Sequence, residues 1–333
     1  MLNEKTQEGE GKLSFSVDFF ETINYNTSIM VFSEEKMASY PSRVKRVAAI
    51  HDLSAFGRCA LTVVIPTLSA MGVQVVPLPT ALMSTHTGGF TDIYAVDLTE
   101  QMRGIYSHWE KLGVDFDAIY SGFVLGEKQC EVIADFRSRF SDGDTLILTD
   151  PVFGDDGKLY STCTLDIAEQ MKLLCRGSDV ITPNLTEACV LCGVPYPDTL
   201  RLPAGELREL ISGLLFGLSA LGAERVVITG IPTLSEEGSR MICTAALDCS
   251  PCSLDHAPFY VSLPRLEAGY QGTGELFASV LLGRLLGGSD FPSAVSTASA
   301  FVRDVIDFST HFDTPYREGV ALEPCLGRLA GLK

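Results

Sequence analysis

Short apolar segments alternate with longer amphipathic ones along most of the chain, and this alternation constrains the fold more than any other feature. RVAAI at 46–50, VQVVPLP at 73–79 and TLILTD at 145–150 are typical of buried strands. CALTVVIPTLSAMG at 59–72 and DLTEQMRGIYSHWEKLG at 97–113 lie between them and are typical of helices that end at a glycine. The pattern predicts an α/β fold with a mainly parallel central sheet and helices on both faces. Ligands of such sheets gather at the carboxyl ends of the strands.

The first part of the chain differs from this pattern. Residues 1–43 are polar and acidic, and they carry no strand or helix period that continues. We predict a disordered tail or an over-long start there, with a functional arm as the alternative. From residue 44 to residue 333 no shift in composition and no internal repeat divides the sequence, so this part is predicted to be one domain.

The charge balance limits the partners that the chain can have. It has 25 basic and 42 acidic residues, and the formal net charge is −17. Such a surface repels nucleic acid and anionic membranes, so we expect a small-molecule substrate and neither of those partners. No stretch reaches the length of about 18 apolar residues that a membrane span needs, and the polar start has no signal-peptide core. A cytoplasmic location is therefore expected.

The ten cysteines do not have the pattern of a secreted disulfide framework, because several lie inside apolar segments. Reduced, buried thiols are the prediction. Two C-x-x-C pairs, Cys189 with Cys192 and Cys249 with Cys252, leave a zinc site as an alternative.

A glycine-rich turn precedes an almost entirely apolar helix in AGYQGTGELFASVLLGRLLGG at 268–288. Small residues at Gly272, Thr273 and Gly274 leave backbone N–H groups uncovered at the positive end of the helix dipole, which suits a phosphate group. The alternative is a plain turn that caps a buried helix. The chain contains no G-x-x-x-x-G-K-[ST], H-E-x-x-H or G-x-S-x-G motif, and no G-x-G-x-x-G between a strand and a helix. Phosphate binding would therefore depend on this turn and on carboxylates that bind a metal.

This segment resembles the G-T-G-D signature of the ribokinase-like kinases, and the chain from residue 45 onward is similar to the vitamin B6 kinases of that superfamily. The resemblance implies that Glu275 is the general base and that the backbone of Gly272, Thr273 and Gly274 stabilises the transferred phosphoryl group. The chain departs from the signature because Glu275 stands where the family has Asp. The added methylene moves the carboxylate by about 1 Å, which can slow a reaction about a hundredfold.

Three further segments resemble the substrate pocket of these kinases. Asp52 and Ser54 in HDLSAFGRCALT are implied to face the substrate, although they could instead cap the next helix. His86 and Thr87 lie at the polar tip of PLPTALMSTHTGGF and are implied to contact the substrate. Phe123 ends the S-G-F turn, where the family has an apolar wall near the ring, and a plain strand-end turn is the alternative.

The resemblance also implies metal and nucleotide contacts. DPVFGDDGKLY matches the D-P-V-x-G-D segment of the family, so Asp150 and Asp155 are candidates for Mg²⁺, whose preferred ligands are oxygen atoms. Glu187 in DVITPNLTEA is a third candidate for the metal.

Three residues are candidate nucleotide contacts by the same resemblance. Asn184 precedes Glu187 by three residues, and the two could equally form a capping box. Thr229 and Gly230 end VVITG beside the expected phosphates, where an ordinary exit from a strand is the alternative.

Together these segments predict ATP-dependent phosphorylation of the 5′-hydroxymethyl group of pyridoxal, pyridoxamine or pyridoxine. ATP and Mg²⁺ are the expected cofactors, a monovalent cation is a further candidate, and a homodimer is implied by resemblance. Two alternatives stay open. One is a hydroxymethylpyrimidine kinase of the same superfamily, and the other is a catalytically weak carrier or sensor that binds pyridoxal or nucleotide.

Overall fold

The structure is a computed structural model, and it describes residues 43–253 and 255–331. The chain divides into the units Met1–Arg43 and Val44–Lys333, of which the second is described here. The predicted tail at residues 1–43 lies, apart from Arg43, outside the described residues.

The described residues form thirteen strands, of which eight build one large sheet. In chain order the strands are β1 (Arg46–Ile50), β2 (Leu53–Phe56), β3 (Gln74–Pro77), β4 (Ala81–Thr85), β5 (Ala95–Asp97), β6 (Ala118–Ser121), β7 (Leu146–Thr149), β8 (Gly154–Asp155), β9 (Lys158–Leu159), β10 (Val180–Ile181), β11 (Arg225–Leu234), β12 (Arg240–Asp248) and β13 (Phe259–Pro264).

Nine α-helices connect these strands within the described residues. They are α1 (Leu61–Ala70), α2 (Thr99–Leu112), α3 (Glu127–Phe140), α4 (Leu165–Arg176), α5 (Leu185–Cys192), α6 (Ala204–Ser219), α7 (Thr273–Leu286), α8 (Phe291–Ser309) and α9 (Leu326–Leu329), with 3-10 turns at Tyr316–Glu318 and Glu323–Cys325.

The large sheet is mainly parallel. Its strand order is β13-β12-β11-β10-β7-β6-β1-β3, and every pairing from β11 to β3 is parallel. Only β12 and β13 run antiparallel to their neighbours, as a meander after β11. The carboxyl ends of the six parallel strands therefore meet at one edge of the sheet, which is where the predicted polar segments begin.

Helices cover both faces of this sheet, which confirms the predicted fold class. Side chains of β1 alternate between two separate cores because successive residues of a strand point to opposite faces. Val47 and Ala49 pack in the core that contains residues of α1, α7, α8 and α9. Ala48 and Ile50 pack in the core that contains residues of α2 to α6.

A small second sheet was not predicted from the sequence. β2 pairs in parallel with β4, and β4 pairs antiparallel with β5. Two of its apolar side chains are exposed, with Phe56 53% and Leu82 45% accessible, and Tyr94, just before β5, is 72% accessible. This sheet fixes the positions of the segments that follow Asp52 and precede His86.

Among the helices of the described region, none combines the length and the apolar character that crossing a bilayer requires.

Candidate active site

A cavity of about 500 Å³ opens at the carboxyl ends of the parallel strands. Ser54 alone among the predicted site residues does not line it. The predicted residues on its wall are Asp52, His86, Thr87, Phe123, Asp150, Asp155, Asn184, Glu187, Thr229, Gly230, Gly272, Thr273, Gly274 and Glu275. The structure thus brings residues from distant parts of the sequence to one site.

The glycine-rich turn has the geometry that the sequence predicted for an anion site. Gly272 is the N-cap of α7 and has a φ of +80°, a left-handed conformation that favours glycine. A side chain there would overlap the backbone carbonyl oxygen of Arg58. The first turn of a helix has N–H groups without intrahelical acceptors. In α7 this turn lines the cavity, so its free N–H groups lie at the cavity wall, at the positive end of the helix dipole.

Asp150 lies beside this turn. A side-chain carbon added at Gly274 would be 3.9 Å from Asp150 Oδ2. The Asp150 carboxyl group is buried, and the Thr182 hydroxyl donates to its Oδ1 at 2.9 Å. Burial, and after it the negative charge of Glu275, raise the pKa of Asp150 to about 8. A bound cation would favour the ionised form of this carboxyl group, because opposite charges stabilise each other.

Asn184 and Glu187 form the capping box that the sequence offered as one of two interpretations. Asn184 Oδ1 accepts the Glu187 N–H at 3.0 Å, and Glu187 Oε2 accepts the Asn184 N–H at 2.8 Å. The pair also holds the loop that contains Asp155. Asn184 Nδ2 donates to the Gly154 carbonyl oxygen at 2.7 Å, and Glu187 Oε1 accepts the Phe153 N–H at 3.1 Å.

The buried carboxyl groups suit a Mg²⁺ ion that is also bound by phosphate. Burial, followed by the charge of Asp150, raises the pKa of Glu187 well above its ordinary value. The described residues contain no cluster of three or more His, Cys, Asp or Glu side chains that could hold a metal by themselves. Mg²⁺ usually binds one or two carboxylates and completes its shell with water and substrate phosphates. Asp150, Asp155 and Glu187 all line the cavity, so one or two of them could bind such an ion directly and the others through water.

Asp52 lies on the cavity wall, and Ser54 lies behind it. The Ser54 hydroxyl is fully buried and donates to Asp52 Oδ2 at 2.8 Å. Burial raises the pKa of Asp52 to about 6, with the Ser54 bond opposing and the Glu275 charge adding to the shift. Neither side chain caps the next helix, since α1 begins after Ala60 without a side-chain cap.

His86 holds a loop in place with both of its ring nitrogens. Its Nδ1 accepts the Gly88 N–H at 3.1 Å, so Nε2 carries the hydrogen that the Arg317 carbonyl oxygen accepts at 2.6 Å. Burial lowers the pKa of His86, which favours this neutral form. The ring therefore contributes a surface to the cavity, while Thr87 contributes a half-buried hydroxyl.

One backbone turn, which we call the anchoring turn (Tyr316–Glu318), binds three loops of the site. The Tyr316 carbonyl oxygen accepts the Gln271 N–H at 3.4 Å, just before the glycine-rich turn. The Arg317 carbonyl oxygen accepts from His86, and the Glu318 carbonyl oxygen accepts the Arg58 N–H at 2.9 Å. All three contacts use main-chain oxygens of the anchoring turn.

Thr229 and Gly230 occupy an irregularity in β11. Thr229 bridges to Asn184 outside the regular strands, and the register with β12 shifts between Ile228 and Ile231. Gly230 has a φ of +68° there, which a glycine adopts without strain. The shift brings both residues to the cavity wall.

Sequence reasoning did not identify a group of apolar side chains on the cavity wall, which we call the apolar slot. It consists of Val261 and Leu263 of β13 and Val302 and Ile306 of α8, two elements that are in contact, and Ser299 of α8 also lines the cavity. In α8 these positions follow the ordinary three-to-four residue period of a core-facing helix, so no motif separates them from core residues. Other wall residues were also missed, among them Cys59 and the exposed Arg265.

The cysteines of the described residues are all free thiols, and those of the two C-x-x-C pairs lie apart in the fold. Cys189 and Cys192 belong to α5, where Cys192 donates to the Leu214 carbonyl oxygen at 3.7 Å. Cys249 and Cys252 follow β12, and Cys252 is exposed.

Comparison with known proteins points to kinases. Residues 64–317 match a family model described as phosphomethylpyrimidine kinase. A Bacteroides thetaiotaomicron protein assigned to the phosphomethylpyrimidine kinases, solved with pyridoxal, is 39% identical with a TM-score of 0.78, over 86% of this chain and 96% of its own. Pyridoxal kinase from Lactobacillus plantarum is 31% identical with a TM-score of 0.76, over 87% of this chain and 98% of its own.

Curated sequences extend the comparison. A hydroxymethylpyrimidine/phosphomethylpyrimidine kinase from Haemophilus influenzae is 27% identical over 80% of this chain and 92% of its own. Matches to three eukaryotic relatives, from Saccharomyces cerevisiae, Schizosaccharomyces pombe and Caenorhabditis elegans, span 62%, 58% and 43% of those proteins.

Proposed function

The chain belongs to the phosphomethylpyrimidine kinase family, and from this membership we propose that it transfers the γ-phosphoryl group of ATP to the 5′-hydroxymethyl group of pyridoxal, pyridoxamine or pyridoxine. Its mainly parallel sheet is that of the ribokinase-like kinases. One observation carries the proposal. The turn that bears Gly274 and Glu275 lies against the buried carboxyl group of Asp150 in the cavity that Asp52 and Thr87 also line.

The reaction needs a base and an anion site, and α7 supplies both in its first turn. Glu275 accepts the proton of the substrate hydroxyl group while the hydroxyl oxygen forms a bond to the γ-phosphorus of ATP. The bond from phosphorus to the bridging oxygen of ADP breaks. N–H groups at Gly272 to Gly274 donate to the phosphoryl oxygens, where negative charge develops. Glu275 is mostly buried but lines the cavity, so a substrate bound there can reach its carboxylate.

Asp150, Asp155 and Glu187 would hold Mg²⁺, which neutralises phosphate charge when it is bound. Six carboxyl groups line the cavity, those of Asp52, Asp150, Asp155, Asp156, Glu187 and Glu275. Without a cation they would repel the phosphates of ATP. A monovalent cation is part of the same proposal, by resemblance alone.

The apolar slot between β13 and α8 supports nucleotide binding. Its side chains are aliphatic, Val261 and Leu263 from β13 and Val302 from α8, and an apolar lining suits a nucleotide base. Asn184, Thr229 and Gly230 line the same cavity, and we propose that they contact the triphosphate. Arg265 adds a positive charge at the rim.

A vitamin B6 substrate and a hydroxymethylpyrimidine substrate both have an observation in their favour. The Bacteroides relative was solved with pyridoxal, and the Lactobacillus relative is a pyridoxal kinase. The family model, the Haemophilus relative and the Bacteroides relative itself carry the pyrimidine name. We propose vitamin B6, because the Bacteroides relative was solved with pyridoxal and the Lactobacillus relative, at 31% identity, is a pyridoxal kinase.

A substrate panel tests this proposal. The protein is incubated with ATP and Mg²⁺ and with each of pyridoxal, pyridoxamine, pyridoxine and hydroxymethylpyrimidine, and ATP consumption and product mass are measured. We expect phosphorylation of at least one B6 vitamer with a kcat/KM at least about tenfold above that for the pyrimidine. The reverse order would replace the proposal by the pyrimidine kinase.

Substitution of Glu275 tests the role of the carboxylate. Glu275→Gln keeps the shape but cannot accept the proton, and we expect kcat to fall about a hundredfold or more, because general bases contribute on that scale. Binding of pyridoxal, measured by its absorbance change, should persist. If the wild type and Glu275→Asp are both inert while pyridoxal binds tightly, the protein is a carrier or sensor.

We also propose a cytoplasmic homodimer, by resemblance. The exposed apolar side chains of Phe56 and Leu82 in the small sheet, and of Tyr94 just before β5, support self-association. Sedimentation should give twice the chain mass of 36.0 kDa, and a monomer would contradict this part of the proposal.

A further inference from the structure

Cys59 contacts the group that we assign as the base. It lies in the loop between β2 and α1, on the cavity wall. Its thiol donates to Glu275 Oε1, with Sγ and Oε1 3.5 Å apart. The two residues are 216 positions apart in the sequence, so this contact exists only because the fold joins the start of α1 to the start of α7.

The loop that carries Cys59 is held by several bonds. The Cys59 N–H donates to Thr62 Oγ1 at 3.0 Å, and the Thr62 hydroxyl donates back to the Cys59 carbonyl oxygen at 2.8 Å. Arg58, one residue earlier, forms an ion pair with Glu323, with Nε and Oε1 2.8 Å apart. Its N–H is bound by the anchoring turn. The backbone that carries the Cys59 side chain is therefore held on both sides of this residue.

The surroundings of Cys59 keep it a thiol. Burial first, and then the negative charges of Glu275 and Asp52, raise its pKa well above the ordinary value. A thiol donates a hydrogen bond to a carboxylate, whereas a thiolate would repel it. A thiol is also a poor nucleophile. The environment thus suits hydrogen-bond donation rather than covalent chemistry.

Glu275 needs such a partner because of its length and its neighbours. Glu has one more rotatable bond than the Asp of the family signature, so its carboxylate has more orientations to lose. Asp52 and Asp150 carry like charges near it when they are ionised. A donor on one oxygen opposes that repulsion and leaves the other oxygen for the substrate.

We propose that Cys59 is a positioning residue for Glu275, which fixes Oε1 so that Oε2 faces the substrate hydroxyl. This inference rests on the proposed function, since it concerns the base of that reaction. It accounts for how this chain uses Glu where the family signature has Asp. The sulfur atom reaches the longer side chain at a distance typical of its large radius.

Two variants of Cys59 test the proposal in the full chain with the vitamer that the wild type phosphorylates. Cys59→Ala removes the donor, and we expect kcat to fall about tenfold while KM for the vitamer and for ATP stays within about twofold, because a loosened base is misplaced. Cys59→Ser keeps a donor and should recover most of kcat. Cys130→Ala, a buried cysteine of α3 remote from the cavity, should match the wild type.

A double-mutant cycle separates positioning from packing. Interacting residues have non-additive effects, whereas independent ones add. In Glu275→Asp the carboxylate is shorter and should no longer reach Cys59, so adding Cys59→Ala should change kcat less than twofold. A wild-type kcat in Cys59→Ala, a rise in KM alone, or additive effects in the cycle would overturn the proposal.

Infrared spectroscopy tests the contact without turnover. The S–H stretching band absent from Cys59→Ala identifies this thiol, and we expect it at higher frequency in Glu275→Ala, because the hydrogen bond is lost. An unchanged band overturns the contact. If no vitamer is phosphorylated by the wild type, the proposed function fails, and the band still decides whether Cys59 holds Glu275.

Discussion

At the scale of single residues, the chemistry of the site depends on how closely two turns approach each other. Gly272 starts α7 with a positive φ, and the Arg58 carbonyl oxygen occupies the space of the missing side chain. The same approach brings Cys59 to Glu275. A glycine signature in the sequence indicated the turn, but nothing in the sequence indicated which backbone would lie against it.

Gly272→Ala should therefore be more damaging than its conformation alone explains. An L-residue in the left-handed region costs about 1–2 kcal/mol, and the overlap with Arg58 adds to that and displaces the turn. We expect loss of phosphorylation and a larger fall in the free energy of unfolding, measured by urea denaturation, than in a matched variant.

Gly288→Ala is the matched variant. Gly288 has a φ of +84°, and an added side-chain carbon has no described atom within 4 Å. Gly288→Ala should lower the free energy of unfolding by about 1–2 kcal/mol and leave the rate of phosphorylation unchanged. Equal effects of the two substitutions would mean that the approach of Arg58 is unimportant.

At the scale of elements, short helices and strands position the site residues through their ends. The capping box of α5 was an alternative interpretation of Asn184 and Glu187 in the sequence, and the structure confirms it. A capping box and a nucleotide contact use different atoms, so the confirmed box leaves the nucleotide role of Asn184 a prediction. Its side-chain amide also holds the loop at Gly154.

Asn184→Ala should lower stability and nucleotide affinity together. Loss of an N-cap costs about 1 kcal/mol, and loss of the bond to Gly154 frees the loop that carries Asp155. We expect the free energy of unfolding to fall by about that amount and the KM for ATP to rise several-fold.

Thr164→Ala provides the control for this effect. Thr164 caps α4 by accepting the Ile167 N–H at 3.3 Å, away from the cavity. It should lose a similar amount of stability with an unchanged KM for ATP. If Asn184→Ala also leaves that KM unchanged, Asn184 only caps the helix.

At the scale of the whole molecule, the sequence predicted the regular part of the fold and missed the irregular part. Helices with clear ends were placed well, as α2 shows by ending at Gly113 in a left-handed conformation. The small sheet was missed because its strands have only three to five residues, and because the exposed Leu82 is apolar, so that the alternating burial of β4 does not appear as an alternation in its sequence. The apolar slot was missed because α8 lines it with the same spacing that a core requires.

Stability should depend on pH through Asp52, whose pKa is raised to about 6 by burial. In the unfolded state the Asp52 carboxyl group loses its proton near the ordinary pKa of 3.8, whereas in the folded state it keeps that proton up to about pH 6. Between those values the unfolded state binds fewer protons, so this group makes the protein less stable as pH rises toward 6. Asp52→Asn removes the effect.

We expect Asp52→Asn to gain about 2 kcal/mol relative to the wild type between pH 4.5 and pH 7.5, measured by urea unfolding without ligands. Asp142→Asn serves as the control, since backbone hydrogen bonds lower the pKa of Asp142. The stability that Asp142 contributes is lost only as pH falls below the ordinary pKa of an aspartate. The difference in unfolding free energy between Asp142→Asn and the wild type should therefore stay constant from pH 4.5 to pH 7.5. A constant difference for Asp52→Asn as well would refute the linkage.

The anchoring turn has a consequence for biosynthesis. Two of the loops that it joins, before α1 and after β4, lie near the start of the domain, and the third precedes α7 near its end. The two early loops have no such acceptors until residues 316–318 have been synthesised, so the pocket can be completed only late in the translation of the domain. A premature stop codon before these residues would leave all three loops without their shared main-chain acceptors.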